Sequence, residues 1–500
     1  MTIPIVRSFA LLSLLLHLST PALTQPSASA AVDGVWLGTI HSESKTLRYQ
    51  LHLKSGAAGA ENCALDSIDQ KYFGIHCYHV QVAGDAVSID FPEVPGNLRG
   101  NLSADGNTIS GTWTQAGNAL PLILERETTA IEPPKYVKPA FDPAMPPVGV
   151  ADLKTVLDHD LALAINSGAL SPATRNGVTI GVVQHGVQRI FSYGIAKPDS
   201  IFEIGSITKT FTSLLLAQMV EEGKVRLDEP IRELLPPGTV AKPASGAEIT
   251  LLDLSDQHSG LPPMPDNFPR ADKNNPFADY NVKLLYAFVA QNGVALYANA
   301  PFIYSNLGVG LLGQALADHE HTTYANLLHD QITAPLNMQD TGIALTAEMK
   351  ARLMVGHGEW DFDALAGAGA IRSTAADMLV YLQAQLHPDR LPASTLATPN
   401  GKTLPAAIAM SHQVHAETSK GEHIALNWFR DDATGSYSHG GVTGAYVCYA
   451  LFNPEKDFAV IVLSNKMPAQ GVSVGDLAQH IEQRLNGSAA ISLATGQAPR

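Results

Sequence analysis

Cysteine is scarce: the 500-residue chain holds three, Cys63, Cys77 and Cys448. A fold stapled by several disulfides is therefore excluded. Cys63 and Cys77 can pair in an oxidising compartment, a question the sequence leaves open because it does not give their separation. Cys448 lies in the strand-like run Ala445 to Phe452 with no basic residue nearby in sequence, and reads as a buried structural thiol. Positive charge is also short, with 32 Lys and Arg against 47 Asp and Glu, a formal charge of −15 and a pI near 5.6. That balance argues against nucleic acid or an anionic membrane as partner and leaves a small neutral or cationic ligand open. Beyond the N-terminal region, no run reaches the roughly 18 to 20 apolar residues of a membrane span.

Arg7, an apolar run from Phe9 to Leu18 and then small residues, with cleavage after Thr24 or after Ala30, read as an export signal over residues 1–30. The mature protein is expected to be periplasmic or secreted, with an uncleaved anchor as the other reading. Forty-five per cent apolar content is enough for two cores or more.

Residues 31–130 alternate with period two, as in Leu47, Tyr49, Leu51, Leu53 and in Val87, Ile89, Phe91. Turn signals such as Asp105-Gly106-Asn107 separate the runs. A small antiparallel β domain, barrel or sandwich, is expected. Pro133, Pro134, Pro139, Pro143, Pro146 and Pro147 mark residues 131–150 as a semi-rigid linker.

The main domain, 151–490, begins with a helix over Ala151 to Ser167 and a hairpin of Val178 to Val183 with Gln188 to Tyr193. A long helical stretch follows, in which a Thr374-Ala375-Ala376-Asp377 capping box opens a helix to about Leu386. Strands from Ala445 to Phe452 and Phe458 to Ser464 and a helix from Val474 to Leu485 close it, and 491–500 reads as a flexible tail. Strands at both ends with helices between them predict an α+β fold: one antiparallel sheet flanked by helices, carrying an all-α insertion, with a cleft between the two.

Within this frame, Ser206-Ile207-Thr208-Lys209 sits where a loop ending in Gly205 turns into an apolar helix. A serine and a lysine three apart share a helix face, so the amine can take the hydroxyl proton. Unpaired N–H groups at the helix start favour negative charge developing on a carbonyl substrate. S-x-x-K alone is weak, and Ser42-Glu43-Ser44-Lys45 repeats it in a strand-like stretch.

The partners come later in the chain. Tyr304-Ser305-Asn306 feeds the glycine-rich helix beginning at Leu307, whereas Tyr297-Ala298-Asn299 precedes Pro301 and Tyr324-Ala325-Asn326 lies inside a helical run. A tyrosine beside a lysine ammonium has its phenolate favoured and can act as general base, and Asn306 can hold a substrate amide. His439-Gly440-Gly441-Val442-Thr443-Gly444 leads into the strand from Ala445, where glycines let a substrate lie against the strand edge. The N–H groups of Val442 and Ser206 are candidates for an oxyanion hole. His319-Glu320-His321 has its histidines at i and i+2, which diverge on a helix, so no metal site is expected. His258-Ser259-Gly260 precedes the tyrosine motif and reads as a cleft-wall loop.

The order S-x-x-K, Y-x-N, H-x-G resembles the serine β-lactamases and penicillin-binding peptidases, in particular their class C branch. Phe202 through Phe211 is similar to that branch's nucleophile segment, Ile249 to Leu254 with His258 to Pro262 to its substrate-side loop, and Thr443 through Asn465 to its last strands. The likeness spans roughly residues 150 to 487. It implies a serine hydrolase that cleaves an amide, a β-lactam or D-alanyl peptide, through an acyl-serine on Ser206. Lys209 and Tyr304 shuttle protons, Asn306 positions the substrate, and the oxyanion sits between Ser206 and Val442. His439, Gly440, Gly441 and Thr443 bind the substrate, which is a small molecule, a peptidoglycan stem peptide or an ester. No cofactor is required. His439 stands where the branch has lysine, so anchoring of a substrate carboxylate is expected to weaken, since an ordinary histidine is mostly neutral at pH 7. An esterase, a D-amino-acid peptidase, and a penicillin-binding sensor or cell-wall adaptor without turnover are the alternatives.

Overall fold

The computed structural model describes residues 32–493 apart from 42–45, 55–62, 92–93, 95, 116–117, 134–138, 168–169, 270–274, 297–299, 357–359, 419–420 and 466–472. The export segment, Ser42-x-x-Lys45 and Tyr297-Ala298-Asn299 lie outside the described residues.

The alternating N-terminal runs form nine strands: β1 (Gly34–His41), β2 (Thr46–Leu53), β3 (Cys63–Ser67), β4 (Tyr72–His76), β5 (Tyr78–Ala83), β6 (Ala86–Phe91), β7 (Gly96–Leu102), β8 (Thr108–Gln115) and β9 (Asn118–Glu127). Their order in one sheet is β4-β3-β2-β1-β9-β8-β7-β6-β5. Chain neighbours pair as hairpins except β4 and β5, and β1 closes on β9 from Val35↔Glu127 to Gly38↔Leu124. The meander thus rolls up like a barrel, with β4 and β5 at the two ends of the strand order. Period-two patterning puts Trp36, Leu51, Ile89, Phe91, Ile109 and Trp113 in one buried core.

Cys63, at the start of β3, and Cys77, between β4 and β5, form a disulfide with Cα atoms 5.2 Å apart. It ties the turn between the two end strands back to β3, where the Cys77 N–H also donates to the Cys63 carbonyl at 3.2 Å.

The second sheet has eight strands: β10 (Gly177–Gln184), β11 (Val187–Gly194), β12 (Ala416–Glu417), β13 (His423–Ile424), β14 (Phe429–Asp431), β15 (Ser436–Val442), β16 (Val447–Asn453) and β17 (Phe458–Ser464). The order is β11-β10-β17-β16-β15-β14-β13-β12, antiparallel throughout. β10 and β17 are near-continuous apolar runs because both faces of the sheet are covered. Val460 and Val462 face one core with Ile481 of helix α4 (Val474–Asn486), while Ile461 and Leu463 face the other with Leu379 of α3 (Ala375–Leu386). Two further helices, α1 (Thr208–Glu221) and α2 (Asn306–His319), fill the space beyond α3. α1 is buried on every side from Thr208 to Met219, and Phe211 stacks on Tyr381 of α3 at 3.9 Å. A helix apolar all round belongs inside a core.

Several boundaries differ from expectation. The helix expected over Ala151 to Ser167 breaks at Leu161 into Leu153–Asp160 and Ala162–Asn166. The break leaves Leu161 buried, and the Asp160 carboxylate takes bonds from His480 at 2.8 Å and Arg484 at 3.1 Å of α4. The second half of the proline-rich segment is docked, since Phe141–Asp142 pairs with Ala490–Ile491 and Val148 and Val150 are buried. For the same reason residues 491–493 are not a flexible tail: Ile491 and Leu493 are buried. Thr374 caps α3 by accepting from the Asp377 N–H, but the Asp377 carboxylate serves the Asp340 N–H and the Thr341 hydroxyl instead of closing the box. Among the described residues, no helix is long and apolar enough to cross a membrane.

Opening the Cys63–Cys77 bond, by reductant or by Cys63→Ser with Cys77→Ser, is expected to destabilise the nine-stranded unit by about 3 kcal/mol, the chain-entropy value for a loop of this size. Denaturant unfolding with and without reductant measures it, and an unchanged midpoint refutes the staple.

Candidate active site

Ser206 lies in a single 3₁₀ turn, Gly205–Ile207, that runs directly into α1. The turn hangs from a short ladder of Ile201–Glu203 with Arg372–Thr374, extended by the Ile204 N–H to the Ile371 carbonyl at 3.0 Å. Gly205 has φ +52°, a left-handed conformation that suits glycine, and a Cβ there would sit 2.7 Å from the Val442 nitrogen. A Cβ on Gly441 would sit 1.9 Å from the Ile204 carbonyl and 3.3 Å from the Ser206 nitrogen. The two glycines therefore let β15 press its backbone against the serine turn, which brings the nitrogens of Ser206 and Val442 to one place.

Lys209, one turn along α1, is fully buried. Its Nζ is 3.0 Å from Ser206 Oγ, 2.7 Å from Asn306 Oδ1 and 2.8 Å from the Ala368 carbonyl. Burial pushes its pKa down to about 7. The three contacts suit a neutral amine. Two are acceptors only and take its two N–H bonds, and the third is a hydroxyl that can donate into the lone pair.

Asn306 is the first residue of α2, held in place by Ser305, whose Oγ caps the helix at the Gly308 N–H (2.8 Å) and donates to the Pro262 carbonyl (2.6 Å). Tyr304 stands just before the cap, and Lys209 Nζ lies 4.8 Å from its ring centroid. The phenolate expected from the sequence is not favoured here. Burial pushes the phenol well above its ordinary pKa, so Tyr304 holds its proton at neutral pH.

His439 on β15 is buried, with Nδ1 2.7 Å from the Gly440 carbonyl and its ring 6.2 Å from that of Tyr304 and 5.4 Å from that of Phe429. Burial, with the positive charge of Lys209, pushes its pKa down to about 3. It is thus neutral far below pH 7, a stronger departure from a lysine than sequence suggested. Gly440 is partly exposed, Val442 is 65% exposed at the strand end, and Thr443 is buried.

The structure thus brings Ser206, Lys209, Tyr304, Asn306, His439 and Gly441 together. Tyr324 instead is a buried core residue bonded to Thr212 of α1 at 2.6 Å. Cys448 is buried, directs its thiol to the Glu203 carbonyl and has its pKa pushed up to about 12. His258 bonds back to Asp256, and no group of metal-ligating side chains occurs among the described residues. Ser473, in a G-x-S-x-G spacing from Gly471 to Gly475, is occupied as the capping box of α4.

Two supports of the site carry little signal in the sequence. Ala368 lies in the small-residue run Ala366 to Ala370, whose compactness lets its backbone reach Lys209. Behind the serine turn, Glu203 meets Arg372 at 3.3 Å with both side chains buried, and Arg372 also donates to the carbonyls of Ile343 (2.7 Å) and Trp360 (3.0 Å). The signal for that pair, an acid just before the motif and a remote arginine before Thr374, requires knowing that the two short strands meet.

Known proteins resemble this chain over its second, larger part. Residues 170–483 match the family model described as Beta-lactamase. The D-alanyl-D-alanine-carboxypeptidase/endopeptidase AmpH of Escherichia coli K12 is 28% identical over 306 residues, 57% of this chain and 79% of that protein. A Beta-lactamase of Pseudomonas fluorescens is 23% identical over 328 residues, 58% of this chain and 88% of that protein. The crystal structure of a Beta-lactamase/D-alanine Carboxypeptidase from Yersinia pestis complexed with citrate aligns with TM-score 0.57 and 25% identity, covering 68% of this chain and all of that one. Sheet, serine turn and a family match over more than half the chain lead to one conclusion: this protein is a serine hydrolase belonging to the Beta-lactamase family.

Proposed function

We propose that the enzyme cleaves an amide bond, in a β-lactam or D-alanyl peptide, through an acyl-enzyme on Ser206. The observation that carries this reading is the buried Lys209 amine, 3.0 Å from Ser206 Oγ with its other two contacts to pure acceptors. In the proposed cycle Lys209 takes the Ser206 proton as Oγ bonds to the carbonyl carbon. The N–H groups of Ser206 and Val442 hold the oxyanion. As the C–N bond breaks, Tyr304 protonates the leaving nitrogen and is reprotonated from Lys209. Water then attacks the ester carbonyl, giving up a proton to the same relay, and Ser206 leaves with its hydrogen restored. Asn306 plays two parts, fixing Lys209 and presenting its amide to the substrate.

The names of the relatives favour β-lactams and D-alanyl peptides as the substrate class. The export reading is supported by the N-terminal Arg7 and apolar run together with the Cys63–Cys77 disulfide, a bond typical of oxidising compartments.

Intact mass after treatment with a fluorescent penicillin and with a fluorophosphonate tests the nucleophile: one adduct is expected on the wild type and none on Ser206→Ala. A wild-type mass unchanged by both reagents refutes it. Because Lys209 must be neutral to accept a proton, the acylation rate should rise with pH through about 7 and level off above it. A rate independent of pH between 5.5 and 8.5 contradicts that role. Gly441→Ala, which forces β15 away from the serine turn, should lower kcat by about 10²-fold or more, the scale of a lost oxyanion donor. Retention of full kcat would place the oxyanion elsewhere.

A further inference from the structure

One buried polar atom on β15 is unused by the cycle above. His439 Nδ1 lies 2.7 Å from the Gly440 carbonyl, which can only accept. Nδ1 therefore carries the ring proton, and Nε2 presents a lone pair. That Nε2 is buried and has no hydrogen-bond partner among the described residues, although the whole residue is only 2% exposed. Buried acceptors are nearly always satisfied, and leaving one unmet is costly.

The ring stands between Tyr304 and Phe429, and Phe302 lies beyond Phe429 with centroids 6.2 Å apart. Lys209 is the basic side chain nearest to acting on it, and its amine is committed to Ser206, Asn306 and Ala368. Arg430, the next residue after Phe429, is engaged by Asp432. A carboxylate brought to Nε2 thus meets a lone pair, and the His439 ring offers it neither a proton nor a charge to pair with.

We propose that His439 Nε2 accepts a hydrogen bond from the substrate, so that the site takes an uncharged N–H donor there, as in an internal peptide bond or a terminal amide, in preference to a terminal carboxylate. The proposal rests on acyl transfer at Ser206 and narrows its substrate. An enzyme so built cleaves within a peptide, or at an amidated end, more readily than at a free C-terminus.

The test compares kcat/KM for N-acetyl-D-alanyl-D-alanine and for the same compound amidated at its C-terminus, using the full chain. The amide should be favoured by about tenfold or more, the worth of one hydrogen bond to a buried acceptor. His439→Leu should erase that preference, and His439→Lys should reverse it. Equal rates, a preference for the acid, or a preference that survives His439→Leu overturns the proposal.

Nitrogen-15 spectra of histidine-labelled protein, with the signal assigned through the Leu variant, should show His439 protonated at Nδ1 and bare at Nε2 at pH 7. In Ser206→Ala, the Nε2 signal should move on addition of the amide. A proton on Nε2, or no movement, also overturns the proposal. If a fluorophosphonate labels Ser206 while neither peptide is cleaved, the His439 assignment falls and the nucleophile stands. If Ser206 is not labelled, acyl transfer itself falls, and the nitrogen spectra still report on His439.

Discussion

Everything at the site is arranged around the burial of one amine. Lys209 is removed from water, and that desolvation makes it a base near neutrality instead of a spent cation. A buried amine must still be satisfied, and its three contacts come from the serine turn, the start of α2 and the segment around Ala368. These are distant in sequence and have to meet within a few ångströms. The Ser305 cap, the small residues from Ala366 to Ala370 and the wholly buried α1 all serve that meeting.

The serine turn is braced in a different way. On one side it receives β15 through Gly205 and Gly441, whose missing side chains allow backbone to touch backbone. On the other it is anchored by Glu203 and Arg372, a buried ion pair wired to the carbonyls of Ile343 and Trp360. Such a pair contributes little net stability once desolvation is counted, but breaking it by removing one partner is costly. Its placement one residue before Ile204 makes it a positioning device for the turn. The Cys448 thiol, bonded to the Glu203 carbonyl, belongs to the same bracing.

Sequence reading recovered the parts of this design that are local. Helical spacing put Ser206 and Lys209 on one face, period-two alternation found the β-rich N-terminal unit, and the context of Tyr304 separated it from Tyr324, which the structure shows to be a core residue. What escaped depends on tertiary partners. The Tyr304 phenol looked activated because a lysine would be near, but the lysine lies over the ring and is itself depressed by burial. Docking of the proline-rich segment required a partner more than 300 residues away, as Phe141 pairs with Ile491. The neutrality of His439 likewise comes from burial, which no short window of sequence reports.

The two sheets also differ in when they can exist. Nearly every ladder of the first joins strands adjacent in the chain, and β1 with β9 are the exception. The second closes only when Val178 meets Ser464, so β10 must wait for almost the whole polypeptide to be made. Non-local pairing of this kind slows folding, and until it is complete the apolar run of β10 lacks its partner strand. A chain in this state is vulnerable to aggregation and proteolysis, and during that interval the locally paired N-terminal sheet can already be folded. β15 is made late as well, so the serine turn lacks the backbone that presses on it through Gly205 and Gly441 until most of the polypeptide exists.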